Sequence, residues 1–185
     1  PAYAIGCGLV GSEMCIRDRY KGKEITMLFS IFNSERNLFR LIGSKTPLAI
    51  SYIKGNSENE KIKGSVKFYA IPEGTIVVSE IFNLPSSPTN FFAQHIHENG
   101  NCEGDFSSAG EHYNPTNTEH PCHAGDLPPL LSNNGYAWQA TLDNRFTIQD
   151  IIGKSYIIHS SPDDFHTQPS GNSGTRIACG VIERV

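Results

Sequence analysis

Five of the chain's seven histidines fall between His95 and Asp126, a stretch that reads HIHENGNCEGDFSSAGEHYNPTNTEHPCHAGD and holds two of the five cysteines. Imidazoles, thiolates and carboxylates are the side chains that ligate transition metals. In His95-Ile96-His97 the rings are two residues apart, so on a strand they share one face and can share one ion. Taken alone, such a pair is also what two exposed strand histidines look like. His112, His120, His123 and Asp126 then follow among Gly, Asn, Thr and Pro. That is loop composition, and a loop can wrap several ligands around one ion. Three imidazoles and one carboxylate suit a closed tetrahedral zinc site with no position left for water. His159 ends the run Ser155-Tyr156-Ile157-Ile158-His159, which reads as a strand. By itself it is more readily a packed core or edge histidine. Beside His95 and His97 it adds the further nitrogen that a tetragonal Cu(II) site prefers.

These residues need a rigid frame, and the rest of the chain reads as strands. Ile62, Gly64, Val66 and Phe68 alternate with polar neighbours, the signature of a half-buried strand. Leu48–Ile53, Thr75–Phe82, Phe91–His97, Tyr136–Leu142, Ser155–His159 and Arg176–Ile182 are the other strand candidates. With 17 Gly and 11 Pro among 185 residues, the chain is turn-rich, and short strands between turn signals indicate an all-β sandwich or barrel. The net charge of −4 and the lack of a basic cluster argue against nucleic acid as a partner. No apolar run approaches the roughly 20 residues needed to span a bilayer as a helix, so no membrane role is expected.

Four segments, in order, resemble the copper/zinc superoxide dismutase family: His95-x-His97, Ser108-Ala-Gly-Glu-His112-Tyr-Asn-Pro, His123-Ala-Gly-Asp126-Leu and Gly174-Thr-Arg176-Ile-Ala-Cys179-Gly-Val-Ile. The resemblance runs from about Leu48 to Ile182 and is closest to bacterial members. It implies an eight-strand Greek-key β-barrel with two long functional loops, residues 98–135 around the metals and 160–175 along the substrate channel. It further implies that a redox-cycling copper, bridged through a histidine to a structural zinc, disproportionates superoxide to dioxygen and hydrogen peroxide. Copper would be held by His95, His97, His112 and His159, and zinc by His112, His120, His123 and Asp126, so His112 would serve both ions. Asp163 sits where the family places a carboxylate linking one copper ligand to one zinc ligand; a plain turn-forming Asp is the alternative. Arg176 matches the channel arginine that draws in the small anion, against the alternative of a solvated edge charge. Cys102 and Cys179 match the family's disulfide, which by closing a long loop stabilises by roughly 4 kcal/mol in the chain-entropy model.

The chain departs from the family pattern in places. Ala93-Gln94 stands where Gly-Phe usually precedes the first copper histidine, which suggests altered packing beneath copper. The channel loop is short and carries no Lys or Glu, leaving Asp163, Asp164 and His166 as its titratable groups. Long-range steering of the anion should therefore be weak, and His166 reads as a surface histidine. Cys122, between His120 and His123, is either a spare ligand or redox-sensitive thiol, or simply a small residue in a tight loop.

Residues 1–26 fit nothing that follows. Cys7-Gly-Leu-Val-Gly-Ser resembles a short piece of a signal peptide, and Glu13-Met-Cys-Ile-Arg-Asp-Arg19 resembles the translation of a transposon end used in sequencing libraries. Residues 1–26 are therefore read as a non-native or disordered leader, 27–45 as an N-terminal extension and 46–185 as the dismutase domain. A short amphipathic helix over 36–42 is one reading of the extension. If Met27 is the start, the cytoplasm is indicated; otherwise the chain would be exported to the periplasm. The resemblance implies superoxide as substrate, admits a copper-delivery protein as partner, and leaves a homodimer open. Two other functions compete: a structural or copper-delivery module of the same fold, which loss of a copper histidine or of Arg176 would mark, and an unrelated zinc hydrolase. The hydrolase would need an open zinc position and a general base beside it.

Overall fold

A computed structural model describes residues 44–185; the expected leader and the helix over 36–42 lie outside the described residues. Pro47–Val185 form one compact unit. Eight antiparallel strands, β1 (Ala49–Gly55), β2 (Lys63–Ile71), β3 (Gly74–Phe82), β4 (Phe91–His97), β5 (Asp126–Leu131), β6 (Ala137–Asp143), β7 (Ser155–His159) and β8 (Arg176–Arg184), form one sheet. Its order is β5-β4-β7-β8-β1-β2-β3-β6, and it curls into a nearly closed barrel. Hairpins join β1 to β2 and β2 to β3, while the chain leaves the sheet between β3 and β4 and again between β6 and β7. That is the expected all-β Greek-key arrangement. Among the described residues no helix is long and apolar enough to cross a membrane.

Alternation along the strands separates core from site. In β4, Phe92 and Ile96 enter the barrel core with Val66, Phe68, Ile81, Leu130 and Ile182, while His95 and His97 lie on the other face. In β7, Tyr156 and Ile158 are in that core and His159 is not. The β4–β7 register sets Gln94 opposite Ile158 and His97 opposite Ser155, which brings the histidine-bearing faces of the two strands together.

Two elements differ from expectation. Residues 126–131 form a strand inside what was expected to be loop. Pro128 and Pro129 obscured it, because proline cannot donate to a ladder and is confined to edge strands, and β5 is indeed an edge strand. A single helical turn, α1 (Ile148–Ile151), precedes β7, with the Asp150 carboxylate accepting from Thr147 N at 2.8 Å and Thr147 Oγ1 at 2.7 Å.

A side-chain bond crosses the β5–β6 seam from Gln139 of β6 to Pro128 of β5, and Gln94 of the adjoining β4 shares the same carbonyl. The Pro128 carbonyl accepts from Gln94 Nε2 at 2.5 Å and from Gln139 Nε2 at 3.2 Å. Gln94 Oε1 in turn accepts from the Tyr156 hydroxyl, and Ser79 Oγ lies 2.9 Å from that hydroxyl. The glutamine in place of the family's phenylalanine therefore works inside the barrel, not beneath the histidines. Gln94→Leu should destabilise the metal-free protein by about 1–2 kcal/mol, because Tyr156 and Pro128 each lose one partner and keep another. Urea unfolding checks this, and unchanged stability would mean that the network contributes nothing net.

Candidate metal centre

β4 delivers His95 and His97, the end of β7 delivers His159, and the loop after β4 returns His112 as an isolated bridge partner of His97. His120 and His123 come from the same loop, and Asp126 opens β5, opposite His95. The structure brings these residues into two groups, His95/His97/His112/His159 and His112/His120/His123/Asp126, all buried. Within each group the candidate ligand atoms lie within 4.8 Å of one another, and His112 alone belongs to both.

In the second group three imidazoles converge on one carboxylate. His112 Nδ1 is 2.7 Å from Asp126 Oδ1, while His120 Nδ1 and His123 Nδ1 are 3.1 Å and 3.3 Å from Oδ2. The last two ring nitrogens lack hydrogen-bonding geometry. Ligands about 2.0–2.1 Å from a tetrahedral zinc lie roughly 3.3 Å apart, close to these separations. In the first group the outward ring nitrogens are tied back: His97 Nδ1 to the Gly110 carbonyl at 2.9 Å and His159 Nδ1 to the Gly174 carbonyl at 3.4 Å. Their Nε2 atoms face each other at 3.4 Å. His95 Nδ1, His112 Nε2, His120 Nδ1 and His123 Nδ1 are buried without hydrogen-bond partners. Buried polar atoms are nearly always paired, so four such nitrogens in one place fit cation ligands and little else.

The electrostatics agree. Burial pushes His95 down to about 4 against the raising hydrogen bond of Asp163, and it holds His159 well below its ordinary value. Burial, then the neighbouring His112, lowers His97 to about 2. These rings are neutral near pH 7, with lone pairs free for a metal. His120 goes the other way: burial opposes its charge, but Asp126 and Asp163 raise it to about 9. Burial also disfavours the Asp126 carboxylate, yet His112 and His120 hold it well below the usual range.

Asp163 lies between the groups, only 5% exposed, with Oδ2 2.8 Å from His95 Nε2 and Oδ1 2.8 Å from His120 Nε2. It also accepts from Phe165 N at 2.7 Å, so the turn-forming alternative describes the same residue. Gly171 packs against this link at φ +66°, where an added Cβ would come within 2.0 Å of Asp163 Oδ1 and 2.6 Å of His120 Nε2. Arg176 is no free edge charge, since it donates to the Phe106 carbonyl at 2.5 Å and the Gly110 carbonyl at 2.6 Å. Cys102 and Cys179 form a disulfide across 77 residues, tying the loop that carries Phe106 and Gly110 to β8. Cys122 belongs to neither ligand group among the described residues, and His166 is exposed beside Asp164.

The sequence profile of the family described as "Copper/zinc superoxide dismutase (SODC)" matches residues 62–182. This chain belongs to that family. The copper/zinc superoxide dismutase 1 of Aquifex aeolicus is 34% identical over 144 residues, covering 69% of this chain and 83% of the relative. That of Legionella pneumophila is 36% identical over 128 residues, covering 65% and 77%. The crystal structure of a superoxide dismutase-like protein from Bacillus subtilis matches with a TM-score of 0.62 at 32% identity, over 71% of this chain and 96% of that one. Membership of the copper/zinc superoxide dismutase family makes the chain an enzyme of superoxide chemistry, with histidine and aspartate groups able to hold the two metals.

Sequence reasoning missed the residues that hold this dismutase centre by its backbone. Gln168, from the channel loop, accepts from His120 N at 3.0 Å and donates to the His120 carbonyl at 2.7 Å. Arg145, just after β6, donates to the carbonyls of His123 and Asp126. No spacing signal marks such contacts, because any carbonyl can be their target.

Proposed function

We propose that this chain disproportionates superoxide to dioxygen and hydrogen peroxide, with copper held by His95, His97, His112 and His159 and zinc by His112, His120, His123 and Asp126. The observation that carries the reading is His112. Its Nδ1 faces Asp126, its buried Nε2 lacks a hydrogen-bond partner, and it is the one residue common to both ligand groups. Bound copper would supply one-electron redox chemistry and bound zinc a fixed charge without redox work.

The chain's own residues supply the rest. Two superoxide anions and two protons give one dioxygen and one hydrogen peroxide, so the site must attract an anion and deliver protons. Arg176, held by two carbonyls, keeps a permanent positive charge fixed beside His97. His112 can hold a proton at Nε2 while Nδ1 stays fixed on the zinc side, and pass it to the departing peroxide. Asp163 orients the rings of His95 and His120 through their outer nitrogens, which fixes which nitrogen of each faces a metal.

Reconstitution of the metal-free chain of residues 1–185 tests this reading. One copper and one zinc per chain are expected, with fast superoxide decay in the doubly loaded protein and none with zinc alone. Zinc uptake without copper or activity would favour the structural-module reading instead.

A further inference from the structure

We propose that Arg145 is a positioning residue for the zinc half of the centre, gripping the backbone at both ends of the turn that carries His123 and Asp126. The inference rests on reading that group as a zinc site. Arg145 Nη1 donates to the His123 carbonyl at 2.9 Å, and Nη2 donates to the Asp126 carbonyl. The same turn is closed internally by Asp126 N on the His123 carbonyl at 3.2 Å and by His123 N on Asp126 Oδ2 at 3.0 Å. The guanidinium thus holds the ends of a segment whose two side chains both belong to the zinc-side group.

Its own anchor lies in the barrel. Asp143 ends β6, pairs with Thr75 of β3 and is 5% exposed. Arg145 Nε reaches its carboxylate oxygens at 3.1 Å and 3.2 Å, Nη2 reaches Oδ2 at 2.5 Å, and Arg145 N donates to Oδ1 at 2.8 Å. Position is therefore transmitted from a packed strand to a loop that has no regular structure of its own between β4 and β5 apart from one 3₁₀ turn. Charge is also accounted for. Asp143 neutralises the guanidinium, so it can sit behind a divalent cation site without repelling the ion. Only a planar fork with several donors spans two carbonyls and a carboxylate at once; a lysine ammonium is a compact point charge and does not.

Three variants of the 185-residue chain test the assignment: Arg145→Ala, Arg145→Lys and, as a surface control, Arg184→Ala, whose side chain contacts Gln149 on an exposed face. Zinc affinity is measured by chelator competition, ligand geometry by cobalt(II) absorption, copper affinity on zinc-free protein, and folding by thermal unfolding of the metal-free chains. Both Arg145 variants should lose about 10- to 100-fold in zinc affinity with altered cobalt bands, while copper affinity stays within about twofold of the parent and lysine gives no rescue. The control should match the parent. Parent-like zinc affinity in Arg145→Lys would overturn the proposal, as would an equal loss at both metal groups, the mark of general destabilisation. Should Arg145→Ala not fold, the lysine variant decides. If the parent itself binds no zinc, the zinc reading fails and this inference falls with it, a result distinct from a parent that binds zinc and variants that match it.

Discussion

His112→Ala should lower the superoxide decay rate by about 100- to 10 000-fold, the range set by removing a positioned general acid. Each ligand group keeps three members, His95/His97/His159 on one side and His120/His123/Asp126 on the other. Three protein ligands suffice to hold a metal, so both ions should still bind, though more weakly. What disappears is the single ring that faces both groups and the proton it can hold at Nε2. Metal content and stopped-flow superoxide decay, measured on the same preparation, separate the two effects. A variant that binds both metals and retains the parent rate would show that no shared ring is needed.

Cys102→Ser should lower stability by roughly 4–5 kcal/mol, from opening a loop of 77 residues. Against the roughly 5–15 kcal/mol that hold a typical domain together, that is a large fraction. It corresponds to a fall in Tm of roughly 10–15 °C for a domain of this size. The damage should also reach the guanidinium of Arg176. Phe106 and Ala109 pack with Ile157 and Cys179 against the disulfide, and the carbonyls of Phe106 and Gly110 hold Arg176. Calorimetry gives the stability loss, and the salt dependence of the decay rate reports on Arg176. A Tm shift under about 3 °C would mean that the loop is held by packing and not by the bond.

The two candidate ligand groups were legible because metal chemistry restricts residue types and strand geometry restricts spacing. His95 and His97 had to share a face once Phe91–His97 was a strand, and the structure keeps that strand unchanged. β5 was not legible, since Leu127-Pro128-Pro129-Leu130 breaks the alternation that identifies a strand, and only the barrel edge makes it one. α1 is too short for periodicity, and Thr147-x-x-Asp150 was its only signal. The role of Gln94 was misread because its neighbour His95 drew attention to the wrong face. Arg145 and Gln168 were invisible for a deeper reason: they act on backbone carbonyls and amides, which every residue offers alike.

A sheet that is continuous everywhere but at one line will breathe along that line first. Here the line is the β5–β6 junction, where the Gln139 amide of β6 on the Pro128 carbonyl of β5 stands in for a ladder. The first residue of β5 is Asp126. An excursion of that edge strand would therefore tug on the Asp126 carboxylate, and an ion bound there would resist it in return. On the proposed reading, closing the barrel and capturing the ion would be two faces of one equilibrium, with the cation acting as a rivet at the sheet's open margin.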